Sequence, residues 1–363
     1  MSSRYALFHG PGQPLQMQQA QDPELGAGEA LVSVDLCTLC GSDLHSYQGH
    51  REVPCPGVLG HEMVGRLVAV GGDQPLVDAN SAKIEVGDRL TWSITAHCGE
   101  CFFCQHGLPQ KCTTLYKYGH QQHDANSPLS GGLADHCQLV KGTTLVRIPE
   151  GLEDAVVAPA SCATATVAGA CRVAGIKAGT TVLVQGAGML GLTAVAMARQ
   201  LGAREVLVSD LDGDRLARAE QFGATGTVLA TDQEELDRAV RSVSEQDGVD
   251  VVLELSGSPA ACEKGISCLR IGGTLVLVGT VFPTGPIAVD PETVVRRCLK
   301  IEGLHNYQPG DLVAAIRFLA ACSFQQEFGA LVEQVFPLSE VEAAFQAAID
   351  GGYCRVGVAP AEG

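Results

Sequence analysis

Residues 180–192 read TTVLVQGAGMLGL. An uncharged, β-branched run is followed at once by Gly186, Gly188 and Gly191 in G-x-G-x-x-G spacing, and then by the helix-like LGLTAVAMARQLG. Strand, glycine turn and helix in that order are the context in which this spacing predicts a dinucleotide site. Gly186 makes the tight turn, Gly188 lets the backbone approach a pyrophosphate, and Gly191 lets helix and strand pack closely. The helix opening at Met189 and Leu190 would turn its N–H groups and partial positive charge toward the phosphates. The next strand, EVLVSD, ends at Asp210. A carboxylate there accepts hydrogen bonds from ribose hydroxyls and repels a 2′-phosphate, and Leu211 offers that phosphate no positive charge, so NAD is expected over NADP. Arg215, a few residues on, is a further candidate coenzyme contact. A glycine-rich turn of a Rossmann-like fold serving another ligand stays open at this point.

Outward from this stretch, strands and helices alternate: EVLVSD, DRLARAEQFG, VDVVLELSG, ACEKGISCLRIGG, TLVLVG. Continuous apolar strands between helices imply a parallel sheet covered on both faces. Upstream, DAVVAPASCATATVAGACRVAG is Ala-rich and reads as one long helix. Before it, segments such as EALVSVDLCTLC, GHEMVGRLVAVGG and VGDRLTWSI read as short strands punctuated by glycine and proline. After about residue 303 come a helix (DLVAAIRFLAAC), VEQVFPLSEVEAAFQAAIDGG and a last strand, CRVGVAP; this tail is too small to stand alone and is expected to return to the first lobe. The expected fold class is α/β: a doubly wound parallel sheet over residues 163–303, and a β-rich domain from 1–162 and 304–363.

The chain has 363 residues, 46% hydrophobic and 18% charged, and a formal charge of −17. That length suggests two domains. The acidity argues against a nucleic-acid binder or a membrane-surface protein. The opening MSSRYALFHGPGQP has no apolar signal core and no segment reads as a membrane span, so a cytoplasmic protein is expected. The 15 cysteines are then mostly free thiols, and their odd number argues against a complete disulfide framework.

Four of them, Cys98, Cys101, Cys104 and Cys112, lie in CGECFFCQHGLPQKC. The spacing C-x2-C-x2-C-x7-C, with Gly99 and Gly107 in the loop, lets one chain wrap a tetrahedral ion. Four thiolates saturate zinc and leave no open position, so the site reads as structural. A redox pair would need two cysteines, and here there are four. The expected lobe is 97–113.

A second set lies in LCTLCGSDLHSYQGHREVPCPGVLGHEMVG: Cys40, Ser42, Asp43, His45, His61 and Glu62. The order of the C-G-S-D-x-H run, GHE, the cysteine lobe and GAGMLG resembles the zinc-dependent alcohol dehydrogenases of the medium-chain dehydrogenase/reductase superfamily, over essentially the whole chain. The resemblance implies a GroES-like catalytic domain beside the Rossmann domain, two zinc ions per chain and NAD. Cys40 and His61 are similar to catalytic zinc ligands. The third falls on Cys162 in PASCATAT, where many relatives carry Glu; a register slipped by four would put Ala158 there instead. A Cys2His set keeps one zinc position open. Asp43 is similar to the carboxylate that orients the zinc-bound histidine, and Glu62 to a transient ligand or electrostatic group. Ser42 and His45 match a proton relay. Thr166, Val278 and Gly279 are expected at the nicotinamide, the last two through backbone groups, and Arg355 at the pyrophosphate. The lobe is expected to stabilise a loop near contacts between subunits of a homodimer or homotetramer. The remaining cysteines, such as Cys55, Cys268 and Cys322, read as small buried hydrophobes.

The implied reaction is reversible oxidation of a primary or secondary alcohol, zinc acting as Lewis acid on the substrate oxygen and hydride passing to the nicotinamide. Arg51, Ile94, Lys117 and His120, with His50, are candidates for the substrate cleft. Cations there in so acidic a chain suggest an anionic small molecule such as a hydroxyalkylphosphonate; solvated surface charge is the alternative. The subgroup of these dehydrogenases associated with phosphonate catabolism is a loose further resemblance. Polyol-, sorbitol- or threonine-type dehydrogenases and an NAD-retaining dismutase are the other readings.

Overall fold

The computed structural model describes residues 2–244 and 247–360. These form two compact units. One contains the described residues up to Ala165, Gln308–Ala321 and those from Phe328 onward; the other contains those of Thr166–Tyr307 together with Cys322–Glu327.

The second unit is built on a six-stranded parallel sheet. Its order across the sheet is Gly226–Leu229, Glu205–Asp210, Thr181–Gln185, Val249–Glu254, Leu269–Leu277 and Lys300–Gly303. The chain runs outward one way from Thr181–Gln185 and then outward the other way, the doubly wound topology expected from the alternation. All five residues of Thr181–Gln185 are buried, as a strand covered on both faces demands. Leu183, Leu207, Val252 and Leu275 make its core. The helices Gly213–Gln221, Gln233–Val243 and Pro259–Cys268 start on side-chain caps from Asp212, Asp232 and Ser258, which satisfy otherwise orphaned amides. Met189–Gln200 differs: Gly188 stands at its N-cap and supplies no side-chain cap.

In the first unit, Ser2–Phe8 joins Gln16–Gln21 and Gly57–Val58 in a small antiparallel sheet. The larger sheet runs Val332–Pro337, Arg355–Ala359, Ala30–Thr38, Glu62–Val70, Arg89–Ala96 and Tyr116–Lys117, with His136–Leu139 and Thr143–Arg147 paired to its inner strands. Phe8, Val32, Leu67, Trp92 and Phe345 pack its core. The parallel pair Val332–Pro337 and Arg355–Ala359 brings the C-terminal segment back beside Ala30–Thr38.

One element departs from expectation. The Ala-rich run is three pieces rather than one helix: Asp154–Val157, a 3-10 turn at Ala158–Ser161, and Ala163–Ala174. Pro159 has no N–H to continue the ladder, and Cys162, at φ −118° and ψ −73°, stands between the turn and the last helix. Cys268 and Cys322 are buried as expected, whereas Cys55 and Cys354 are half-buried and Cys298 is exposed. Among the described residues, no single helix is long and apolar enough to cross a membrane.

Candidate active site

The four-cysteine loop leaves the strand Arg89–Ala96 and folds over a short helix, Phe102–Gln105, and a 3-10 turn, Pro109–Lys111. Its sulfurs converge: Cys98–Cys112 and Cys101–Cys104 are 3.5 Å apart, Cys101–Cys112 3.9 Å and Cys98–Cys104 4.0 Å. A tetrahedral ion with Zn–S bonds of about 2.3 Å needs sulfurs about 3.8 Å apart, so the donor set fits zinc. The amides of Cys101 and Cys98 point at the sulfurs of Cys98 and Cys112, both at 3.3 Å, and such donors favour thiolates. No open position remains for a substrate.

The second convergence is Cys40, His61, Glu62 and Cys162, whose ligand atoms lie within 4.8 Å of one another. Each arrives from a different element. Cys40 is the N-cap of the helix Gly41–Tyr47. His61 directly precedes the strand Glu62–Val70. Cys162 sits at the break after Pro159, and Ser161 clips that break to the strand: its hydroxyl donates to the His61 carbonyl at 3.2 Å and accepts from Met63 N at 3.3 Å. Asp43 turns back to accept from Cys40 N at 3.0 Å and Gly60 N at 3.2 Å, and its Oδ1 lies 3.2 Å from His61 Nδ1. A carboxylate there places the imidazole proton on Nδ1 and leaves Nε2 as the ligating atom. Ser42 Oγ is 3.4 Å from Nε2. The two thiols face each other, and their interaction lowers Cys40 well below the usual thiol range while raising Cys162 well above it. Two sulfurs and one tautomer-locked imidazole suit a zinc site with a position left open.

In the second unit a cavity of about 590 Å³ is lined by Gly186, Gly188, Asp210, Leu211, Arg215 and other residues at the C-terminal ends of the strands. A Cβ at Gly191 would lie 1.9 Å from Gly186 O, whereas one at Gly188 would meet nothing within 4 Å. The third glycine is therefore required by helix–strand packing, and the second borders open space where a phosphate can approach. Asp210 holds the turn by accepting from Ala187 N at 2.6 Å and from Asp212 N at 3.0 Å.

Two family models match the chain: the alcohol dehydrogenase GroES-like domain over residues 26–150 and the zinc-binding dehydrogenase domain over residues 190–321. It is 29% identical over 348 residues to L-threonine 3-dehydrogenase of Coxiella burnetii, covering 94% of each chain. It is 28% identical over 337 residues to D-arabitol-phosphate dehydrogenase of Enterococcus avium, covering 92% of this chain and 90% of that one. An alcohol dehydrogenase from Thermotoga maritima superposes with a TM-score of 0.92 at 29% identity, covering 99% of this chain and 100% of that one. The chain belongs to the zinc-dependent alcohol dehydrogenases of the medium-chain superfamily. It is thus an oxidoreductase acting on CH–OH groups.

Within this dehydrogenase the structure gives two further candidate residues defined partners. Arg355, expected at a pyrophosphate, is buried and spends its fork on Glu62: Nε donates to Oε2 at 2.8 Å and Nη2 to Oε1 at 3.0 Å, while Nη1 donates to Cys354 O. A buried carboxylate needs such a partner, and Glu62 also accepts from Thr38 Oγ1 at 2.7 Å. Burial still raises the Glu62 carboxyl to about 7, with Arg355 opposing. Ile94, expected against substrate, is 3% exposed in its strand, and its carbonyl holds Tyr118 N at 2.9 Å. The Val278 and Gly279 amides both donate to Glu254 O at 3.0 Å, so their N–H groups are committed within the fold. Thr166 lies half-buried in the helix Ala163–Ala174. Arg215 is half-exposed, 3.8 Å from Asp212.

Three expected cleft residues are brought beside the cysteine–histidine site. The His120 ring lies 5.2 Å from that of His61. Gly119 is packed so closely that a Cβ would stand 2.8 Å from Gly60 O and 3.2 Å from His61 Cβ, which presses the 117–120 turn onto the His61 segment. Burial lowers Lys117 to about 8, with Arg51 adding repulsion; burial also lowers Arg51 and His120. His45 is half-buried and lowered by burial, its ring 5.8 Å from that of His50. Thr38 and Ser161 escaped sequence reading, since one hydroxyl in a strand and one before a cysteine carry no spacing signal.

Proposed function

We propose that Cys40, His61 and Cys162 hold a catalytic zinc, that the four-cysteine loop holds a structural one, and that the enzyme oxidises its alcohol with NAD. The observation that carries this reading is the convergence of two sulfurs with a His61 ring whose Nδ1 faces Asp43 and whose Nε2 stands beside the Ser42 hydroxyl. When bound, zinc supplies Lewis acidity at the substrate oxygen and NAD supplies the hydride acceptor. The chain's own residues do the rest. Asp43 fixes the His61 tautomer. Arg355 neutralises Glu62 and keeps its carboxylate from adding charge beside Cys40. Ser42 Oγ takes the proton released by the substrate hydroxyl, and the His45 imidazole passes it toward solvent. Asp210 with Leu211 supports NAD, because a 2′-phosphate there would face a carboxylate without a cation.

L-threonine and D-arabitol phosphate, the substrates named for two relatives, are both hydroxylated small molecules bearing an anionic group. A threonine- or polyol-type substrate therefore belongs to the same reading, as do a cytoplasmic setting and a homodimer or homotetramer.

The test is metal content and turnover of Cys162→Ala. The wild-type chain should carry two zinc ions and the variant one, with NAD-linked turnover lost and the lobe zinc kept. Retention of both ions in the variant would sink the assignment and favour the register that puts Ala158 at the third position. A wild-type enzyme that prefers NADP would overturn the reading of Asp210.

A further inference from the structure

Arg51, Lys117 and His120 are used by none of the chemistry above. Arg51 ends the turn after the helix Gly41–Tyr47, its N–H on the His45 carbonyl at 3.1 Å. Lys117 comes from the strand Tyr116–Lys117, in register with Thr95. His120 Nδ1 lies 2.9 Å from the Tyr118 carbonyl; a carbonyl only accepts, so Nδ1 carries a hydrogen. Both cations are half-buried, each within electrostatic range of Cys40 and Cys162, and Lys117 within range of Arg51.

Neither Arg51 nor Lys117 has an ion pair or a side-chain hydrogen bond with a described residue. The nearby buried carboxylates are already engaged: Asp43 with Cys40 N, Gly60 N and His61, and Glu62 with Thr38 and Arg355. Glu52, next in sequence, is exposed. The two site thiolates are balanced by a divalent ion once one binds. Partly desolvated like charges without counter-charge cost stability, and this chain has 41 acidic residues against 24 Lys and Arg. Cations left unpaired beside the reaction centre, in a chain so rich in carboxylates, form a wall suited to an incoming anion.

We propose that Arg51 and Lys117 form an anion subsite that selects alcohols carrying a phosphoryl or carboxylate group close to the reacting carbon. The proposal rests on the dehydrogenase reading of the same site. The Arg51 fork takes two oxygens of the anion in plane, and Lys117 meets a third or shares one as a point charge. Binding energy gained there is present in ground and transition states alike, so it appears in KM more than in kcat.

Two measurements test it. The first compares kcat/KM on charged and neutral partners: hydroxypropylphosphonate with butanol, glycerol phosphate with glycerol, lactate with propylene glycol. Wild type should favour the charged member, and Arg51→Ala should lower the charged-to-neutral ratio by about 10- to 100-fold, the effect of losing a hydrogen bond to a charged group. Arg51→Lys should restore part of it. A fall confined to the phosphoryl pairs or to lactate tells which anion is read. An unchanged ratio overturns the proposal, and so does an effect confined to KM for NAD, which would make these cations readers of the coenzyme phosphates. The second measurement needs no turnover. Calorimetry of the zinc-loaded protein with methylphosphonate, and separately with acetate, should show binding that weakens at least about tenfold in Arg51→Ala with Lys117→Met. No binding of either anion, or equal binding by the double variant, overturns the subsite. Failure to oxidise any alcohol would defeat the dehydrogenase reading, and calorimetry would still decide the subsite.

Discussion

Asp250 ties three neighbouring inner strands of the parallel sheet together on one carboxylate. Its Oδ2 accepts from both the amide and the hydroxyl of Thr181 at 2.7 Å, and its Oδ1 from Arg270 Nε at 2.6 Å. Burial opposes ionisation, but the Thr181 and Arg270 bonds together outweigh it and hold the carboxyl below its ordinary value. A depressed folded pKa means a stabilising contribution that is complete above about pH 4 and disappears as pH falls through the lower folded value. Asp250→Asn should therefore cost about 1–2 kcal/mol at pH 7, moderated by partial exposure, and the gap to wild type should shrink in acid. Urea unfolding at several pH values checks this; a gap that widens below pH 4 would contradict it. Arg355 makes the complementary point about legibility. An arginine in YCRVGV announces a planar cation but not its partner. Only the return of the C-terminal strand beside Ala30–Thr38 delivers it to Glu62. Cys40, Ser42, Asp43 and His61 were legible because they lie close in sequence and in a distinctive order.

Elements were readable where one period dominates. Thr181–Gln185, Glu205–Asp210 and Val249–Glu254 stand where continuous apolar runs place them, because strands covered on both faces tolerate little else. The helix Met189–Gln200 is tied to its strand by Gly191, and Gly191→Ala should be among the most damaging single-methyl additions in the chain. The new Cβ would meet Gly186 O at 1.9 Å, so the helix must lift from the turn. A drop in melting temperature of several degrees and loss of NAD binding are expected; fluorescence titration with NADH that shows wild-type affinity would refute the packing argument. Propensity favours helix throughout the Ala-rich run, yet Pro159 interrupts the ladder and Cys162 stands just before the helix Ala163–Ala174. That break lets the sulfur join Cys40 instead of riding on a helix side. In the four-cysteine loop, Cys104→Ser should release the structural zinc and lower stability, since such an ion contributes folding free energy directly.

For the molecule as a whole, the two units should answer different ligands. Hydrogen exchange with saturating NAD should slow amides around 186–191 and 209–215 in the parallel-sheet unit. Chelation of both zinc ions should speed exchange around 40–62, 97–113 and 161–163 in the first unit. Exchange that spreads instead through Thr181–Gln185 and Val249–Glu254 after chelation would show that the metal sites support the coenzyme sheet. The sequence by itself determined the periodic and the local: strand–helix alternation, the glycine turn, and a cysteine loop whose four ligands sit within fifteen residues. Hydrophobic period and ligand spacing are short-range codes, complete before the chain folds. Tertiary structure alone decided the long-range pairings: Arg355 with Glu62, Ser161 with the His61 segment, and the His120 ring beside that of His61. These residues are brought together by strand register, by a broken helix and by a returning C-terminal strand, and no local pattern encodes which distant side chain will neutralise a buried charge.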